Sequence, residues 1–255
     1  MRTSAALSPL RTDSPRPSLI KRAGYRVSRW LRPSRLGVLR RTAPFSDTHG
    51  FDRGMPVDRY YIECFLSQHR RDIQGRVLEM QDSGYTHRFG HDVVEAAVLD
   101  IESRNPAVTI IADLTTATTI TSNYFDCFVL TQTLHLIYDV PAALAHAWRI
   151  LKPGGVLLAT VPAVGRVANP GDGTTYWRFT SASCQKLFGA AFEDEHTEVW
   201  AYGNVLTCVA QLMGMAYEEL RQQELEVADP RFPLVIAVRA VKAASTVIGP
   251  FPHFR

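Results

Sequence analysis

The chain has 255 residues, 46% of them hydrophobic, which allows one sizeable core plus an appendage. Its formal charge of +3 hides an asymmetry: residues 1–47 hold 11 Lys+Arg against 2 Asp+Glu, and the remainder 17 against 23. A basic lead-in on a mildly acidic body argues against a body built to grip a phosphate backbone, so no nucleic-acid partner is expected.

Residues 1–17 are rich in Ser, Pro and Arg with little to bury, so residues 1–47 are expected to be a basic, largely disordered segment. Between Ser18 and Arg41, Leu19, Ile20, Val27, Trp30, Leu31, Leu36 and Leu39 alternate with eight basic residues. That mix can lie peripherally on an anionic membrane, or serve only as a loosely attached lead-in, and Pro33 interrupts any single helix. An Arg-rich, acid-poor start also has the composition of an organellar transit peptide. The body is expected over residues 48–242, with a short tail at 243–255.

Asp58 is a plausible N-cap for a helix whose face carries Tyr61, Phe65 and Leu66. Such a helix can close over a ligand, which makes Arg53, Tyr60 and Tyr61 candidates for substrate contact; packing explains the two tyrosines about as well. A first apolar strand (Val77, Leu78) ends on Glu79, turns through Gln81-Asp82-Ser83-Gly84, and a second apolar strand ends on Asp100, 21 residues further on. Ligands in open α/β sheets sit at the carboxyl ends of the strands, and an acid at the second tip suits the two hydroxyls of a ribose. The short turn leaves room for only a stub of helix before Val93.

Further strands are expected at Val108–Ala112, followed by Asp113, and at Phe125–Thr131. A helix at Val140–Leu151 is stopped by Lys152-Pro153-Gly154-Gly155, and a strand at Gly155–Pro162 follows. After a Gly/Pro/Asn-rich loop come Tyr176-Trp177-Arg178-Phe179-Thr180 and a helix capped by Ser181 and running to Phe188. A strand TEVWAYG, a helix around Val205–Leu220 and a strand at Leu234–Val241 close the body. Asp229–Pro233 is too short for a crossover helix, so the last strand is expected to run antiparallel to its neighbour. The pattern predicts an α/β, Rossmann-like, doubly wound seven-stranded sheet with right-handed crossovers.

Cys64, Cys127, Cys184 and Cys208 are widely spaced with no C-x-x-C, which fits reduced thiols in a cytoplasmic protein. His87 and His91 lack a third ligand and there is no H-E-x-x-H, so no metal is expected. No stretch approaches the roughly 18 apolar residues of a membrane span, and the N-terminus lacks an apolar h-region.

The pieces V-L-E at Glu79, V-L-D at Asp100, A-D-L at Asp113, F-D-C-F-V-L-T-Q-T-L-H at 125–135 and above all R-I-L-K-P-G-G before a strand resemble the class I S-adenosylmethionine (SAM)-dependent methyltransferases, type 11-like branch. The likeness spans about residues 50–242. It implies SAM as cofactor, with Glu79 near the methionine end, Asp100 on the ribose, Asp113 and the Leu114 backbone at the adenine edge, and Thr131 and Gln132 beside the methyl group. His135, just past the fourth strand, is the candidate general base; a packing role is the plainer alternative. Trp177 and Arg178 are candidates for the acceptor, and anchoring of the loop on the core is the alternative for Trp177. The family's E-x-G-x-G-x-G is degenerate here: its glycines fall on Gln81, Ser83 and Tyr85, and Gln81 and Tyr85 are expected to intrude on the cofactor.

The expected activity is O- or N-methylation of a small molecule; a sugar-type or natural-product acceptor is implied by resemblance only. One rival is a catalytically silent methyltransferase-fold module. Another is an NAD(P)-dependent oxidoreductase, which lacks its G-x-G-x-x-G.

Overall fold

The computed structural model describes residues 27, 28, 30, 31, 37–102, 105–167 and 173–244. The chain divides into two units, Met1–Thr42 and Ala43–Arg255. In the first, the described residues include helical Val27, Ser28, Trp30 and Leu31 and a 3-10 turn at Gly37–Leu39. The expected disorder of residues 1–17 and the tail from Ser245 onward lie outside the described residues.

The second unit is a seven-stranded sheet, ordered β3-β2-β1-β4-β5-β7-β6. Its strands are β1 (Gly75–Met80), β2 (Val93–Asp100), β3 (Ile110–Ile111), β4 (Phe125–Thr131), β5 (Leu151–Pro162), β6 (Thr197–Tyr202) and β7 (Val235–Val241). β3, β2, β1, β4 and β5 pair in parallel, and β7 lies antiparallel between β5 and β6. The expected antiparallel last strand is therefore present and pairs with β6, but residues 203–234 that join the two hold the helices Val205–Leu212 and Gln222–Glu226 as well as Asp229–Pro233.

Central parallel strands are covered on both faces, which is why β4 reads as a nearly unbroken apolar run. Alternation along each strand then shares its side chains between two cores. Leu78, Phe128, Leu130, Leu157 and Ala159 face one core; Val77, Cys127, Val129 and Leu158 face the other. The first core is closed by α3 (Val140–Ile150) and α4 (Ser181–Phe192), through residues such as Leu144, Ala147, Phe188 and Phe192. The second is closed by α1 (Val57–Gln68), with Tyr61, Ile62, Phe65 and Leu66, and by Cys208 and Ala210 of α5 (Val205–Leu212) and Leu225 of α6 (Gln222–Glu226). The remaining helix, α2 (Gly84–Phe89), is the expected stub between β1 and β2.

Several boundaries differ from expectation, each for a local reason. β3 is only two residues; before it the Thr109 hydroxyl accepts from Val98 N at 2.9 Å, while Thr109 N still donates to Val98 O at 3.0 Å. Thr180, not Ser181, caps α4: its hydroxyl accepts from Ser183 N at 3.1 Å in a capping box, and the helix continues to Phe192. Asp58 is no cap, since α1 starts at Val57 after Pro56. Lys152–Gly155 lies inside β5, at a register shift against β4, with Gly154 at φ +81°. The expected helix over Val205–Leu220 ends at Leu212, before Gly214 at φ +67°, and a 3-10 turn at Tyr217–Glu219 and α6 follow. A Cβ at Gly214 would lie 2.4 Å from Ser46 O, so no other residue fits that turn unchanged. All four cysteines are free thiols. No helix among the described residues is long and apolar enough to cross a membrane.

Candidate functional site

At the carboxyl edge of the sheet lies a cavity of about 330 Å³. Gln81 after β1, Gln132 after β4, Pro162 at the end of β5 and Val235 at the start of β7 form its sheet side. The segment entering α1 contributes His49, Phe51, Asp58 and Arg59. His135 and Leu136, from the 3-10 turn Leu134–Leu136, and Arg166 and Arg178, from the connection between β5 and α4, complete the walls with Gln211 of α5.

Two of the strand-tip residues have unusual backbones. Gln81 sits at φ +68° and Gln132 at φ +46°, the left-handed region that disfavours any residue with a Cβ. Gln81 N donates to Leu99 O at 3.0 Å and Gln132 N to Thr160 O at 2.8 Å, so each turn is locked to the neighbouring strand. Asn105 Nδ2 also donates to the Gln81 carbonyl at 2.6 Å, joining the loops that follow β1 and β2.

Among the described residues, six buried side-chain polar atoms lack a hydrogen-bond partner, and three belong to residues lining this cavity: Asp58 Oδ1, Gln132 Nε2 and His135 Nδ1. Buried polar groups are ordinarily paired, so three on one cavity are unusual. Asp58 keeps some exposed surface as a residue, but its Oδ1 is sealed, and burial raises its pKa above the usual 3.8 despite the charges of Arg59 and His49. Its backbone N–H donates to Gln211 Oε1 at 3.1 Å, which ties α1 to α5. Burial, then the adjacent Arg178, lower the His135 pKa to about 4, so its imidazole is neutral at pH 7. His49 is also lowered, by burial and then by Arg166, whose Nε donates to His49 Nε2 at 3.2 Å.

Glu79 does a different job. It is 2% exposed, and its carboxylate accepts from Tyr85 N (3.0 Å), Thr86 N (2.7 Å) and the Thr86 hydroxyl (2.6 Å). It therefore fixes the first turn of α2, and burial raises its pKa in spite of those donors. Tyr85 is not a lining residue of the cavity: its ring packs on Phe89 and its hydroxyl accepts from Arg59 Nη1 at 2.8 Å. Gln81 does line the cavity, as an exposed side chain at its rim.

Of the other sequence candidates, Asp100 and Asp113 stand on the same sheet edge, outside the cavity. Asp100 Oδ1 accepts from Ile101 N at 2.6 Å, and Asp113 Oδ1 accepts from Thr115 N at 2.8 Å and the Thr115 hydroxyl at 2.7 Å. The Leu114 side chain is in the core, and Thr131 caps β4, its carbonyl accepting from the Thr133 hydroxyl. Arg53, Tyr60, Tyr61 and Trp177 are not among the lining residues. Arg53 pairs with Glu219, and Tyr60 accepts from Gln222 Nε2. Tyr61 is buried with its hydroxyl donating to Leu225 O, and Trp177 Nε1 donates to Ile137 O at 3.0 Å, which anchors the loop. Sequence reasoning missed Asp58 as a site residue, and with it His49, Arg59, Arg166 and Gln211; what distinguishes Asp58 is the burial of its carboxylate, which the sequence does not display.

Residues 74–159 match the family model described as Methyltransferase domain, about a third of the chain. A comparison with curated proteins gives no match. Solved structures similar to the chain include the [4+2]-cyclase SpnF (15% identity, 72% of this chain and 82% of that one, TM-score 0.49). A SAM-dependent methyltransferase from Archaeoglobus fulgidus (13%, 72% and 94%, 0.49) and one from Mesorhizobium loti (15%, 76% and 100%, 0.48) are similar to the same degree. The family match falls on β1 through β5, the strands whose tips carry Glu79, Asp100 and Gln132, and the antiparallel β7 departs from the 3-2-1-4-5-6 order of dinucleotide-binding sheets. Over residues 74–159, which reach from just before β1 into β5, this chain is similar to a methyltransferase domain.

Proposed function

We propose that the chain transfers the methyl group of SAM to the oxygen or nitrogen of a small-molecule acceptor bound in the cavity at the carboxyl edge of the sheet. The observation that supports this reading most is the pair of glutamines at the tips of adjacent strands, both in left-handed backbone and both lining one cavity. Strain of that kind is worth on the order of 1–3 kcal/mol per residue and clusters at ligand sites.

The residues present fit the cofactor. Gln81 stands where the family has its first glycine and takes the glycine-like conformation, so the turn follows a tight path without the small residue. Tyr85 is not among the residues lining the cavity; its hydroxyl accepts from Arg59 Nη1 and its ring packs on Phe89. Asp100 would hold the ribose and Asp113 the adenine edge, while Gln132 Nε2, a donor with no partner, would meet an acceptor atom of the methionine part. When bound, SAM supplies an electrophilic methyl on a sulfonium and departs as a neutral thioether.

Methyl transfer demands chiefly alignment, and orientation alone can supply effective molarities of ~10⁵ M or more. Gln132 and the segment carrying Asp58 and Arg59 would set that alignment. His135, neutral at pH 7, would take the proton that the acceptor hydroxyl or amine loses as its bond to carbon forms. A sugar-type or natural-product acceptor belongs to the same reading.

Calorimetry with SAM and S-adenosylhomocysteine tests it directly: micromolar binding of both supports the reading, and no heat at millimolar ligand defeats it. That second result would favour a silent module, the reading motivated by the missing glycines and by the three bonds that commit Glu79 to α2.

A further inference from the structure

Three arginines, Arg59, Arg166 and Arg178, line the cavity against one carboxylate, Asp58. Among the described residues none of the three arginines is in an ion pair. Arg59 donates to the Tyr85 hydroxyl. Arg166 donates to His49, which is uncharged at neutral pH. The half-buried Arg178 donates only to main-chain carbonyls: Trp177 O at 2.8 Å, Gly165 O at 3.2 Å and Arg166 O at 2.5 Å. The last bond places Arg178 against the backbone of Arg166, so the two cationic residues stand side by side on one wall.

Elsewhere several cations meet carboxylates, as Arg239 does with Asp72 and Glu198, Lys152 with Asp126 and Arg231 with Asp229. Arg149 and Lys242 instead bond to neutral oxygen and nitrogen atoms, but away from the cavity. The cavity gathers three arginines around one acid. The Arg178 pKa is lowered by burial with no opposing charge to restore it, which marks a cation lacking its counterion. A guanidinium fixed by carbonyls on one side keeps donors for a planar or tetrahedral oxyanion on the other.

We propose that the acceptor is a small molecule bearing a carboxylate or phosphate group, which docks on Arg178 and Arg166. This rests on the methyl-transfer reading above and names the substrate class for the same cavity. His135 and Arg178 line one wall, so an anion held by Arg178 leaves the rest of the acceptor beside the imidazole. The anion would also offset the charge that, after burial, most depresses the basicity of His135.

The test titrates inorganic phosphate, and separately acetate, into the full chain saturated with S-adenosylhomocysteine at constant ionic strength. Binding in the millimolar range is expected, weakened roughly tenfold or more in R166Q and R178Q, since charge-assisted bonds carry it. R178K should retain most of it, and affinity for S-adenosylhomocysteine should stay within about twofold in all variants. The tighter of the two anions names the acceptor's group. Equal anion affinity in wild type, R166Q and R178Q would overturn the proposal, and R166Q, which alters an exposed residue, decides the matter if R178Q fails to fold. Mutual exclusion of phosphate and S-adenosylhomocysteine would also overturn it, by giving the arginines to the cofactor's carboxylate. If S-adenosylhomocysteine does not bind at all, the methyl-transfer reading falls separately, while phosphate titrated into the protein alone still reports on the arginines.

Discussion

Replacing Asp58 with asparagine should make the protein more stable and a poorer binder. Asp58 Oδ1 is sealed from solvent and has no donor, an arrangement that costs about 1–3 kcal/mol. Asparagine keeps the shape and removes the charge, but its amide also goes partly unpaired and Arg59 and His49 lose a partner. The net gain at neutral pH is therefore about 1 kcal/mol, or roughly 2–4 °C in melting temperature for a domain of this size. The pH dependence gives the sharper check. The folded-state pKa of Asp58 is raised above 3.8, so the native state binds the proton more tightly than the unfolded chain. Stability then falls as pH rises from 3.8 through the raised value, and the full penalty is present at neutral pH. Urea denaturation of wild type and D58N at pH 8, 6 and 4 should show an advantage for D58N at pH 8 that shrinks toward pH 4. Calorimetry should show weaker binding of S-adenosylhomocysteine or acceptor by D58N. An advantage that stays constant down to pH 4, or a D58N protein less stable than wild type at pH 8, would refute the reasoning.

Other substitutions probe the remaining parts of the site. His135 is held at about 4 in the folded protein against 6.5 ordinarily, so its neutral burial is compatible with stability above pH 6.5 and stability is lost as pH falls from 6.5 toward 4. H135Q should remove about 1–2 kcal/mol of that slope, discounted for partial exposure, and lower kcat by roughly 10²-fold or more at unchanged KM for SAM. Q81G should relieve the left-handed strain at φ +68°, raising stability by about 0.5 kcal/mol after glycine's extra unfolded-state entropy, and should tighten S-adenosylhomocysteine binding; loss of affinity would mean that the glutamine side chain itself makes a contact. D100A should weaken S-adenosylhomocysteine by about 1–3 kcal/mol, and unchanged affinity by calorimetry would move the ribose site elsewhere.

The sheet was legible because its central strands are buried on both faces: Val77-Leu78 and Phe128-Val129-Leu130 can hardly be anything but core. The antiparallel β7 was expected from the short Asp229–Pro233 stretch, although the full link from β6 to β7 also carries α5 and α6. What escaped were places where a side chain competes with the backbone. Thr109 takes over a β2 amide with its hydroxyl, and Thr180 rather than Ser181 supplies the cap, a choice of one residue that composition does not resolve. At the site, residues just past parallel strands (Gln81, Gln132, His135) were found because topology sends strand tips to one edge. Asp58 was misread as a cap because an acid before an apolar helical face has that appearance in any sequence. Its actual neighbour, Gln211, lies 153 residues away, and no local pattern announces such a contact. The tyrosines and Trp177 were overvalued for the opposite reason, since a large polar-tipped ring suits a pocket and a loop anchor equally well.

The arrangement separates two duties that share one sheet edge. Glu79 accepts three hydrogen bonds from the first turn of α2, so it holds the turn after β1 and stabilises the fold. Gln132, His135 and Asp58 hold polar atoms that the folded chain leaves without partners, each a cost of about 1–3 kcal/mol even if the three do not add. A ligand that satisfied these atoms through small side-chain movements would recover part of that cost as binding energy, and one lacking the matching groups would not. The difference between the two is a specificity of several kcal/mol at most, set before any contact with the reacting methyl. On this view the missing glycines of the first turn do not decide whether the site works. Gln81 takes the left-handed conformation that a glycine adopts freely, and under the proposed function the polar atoms across the cavity would carry the discrimination.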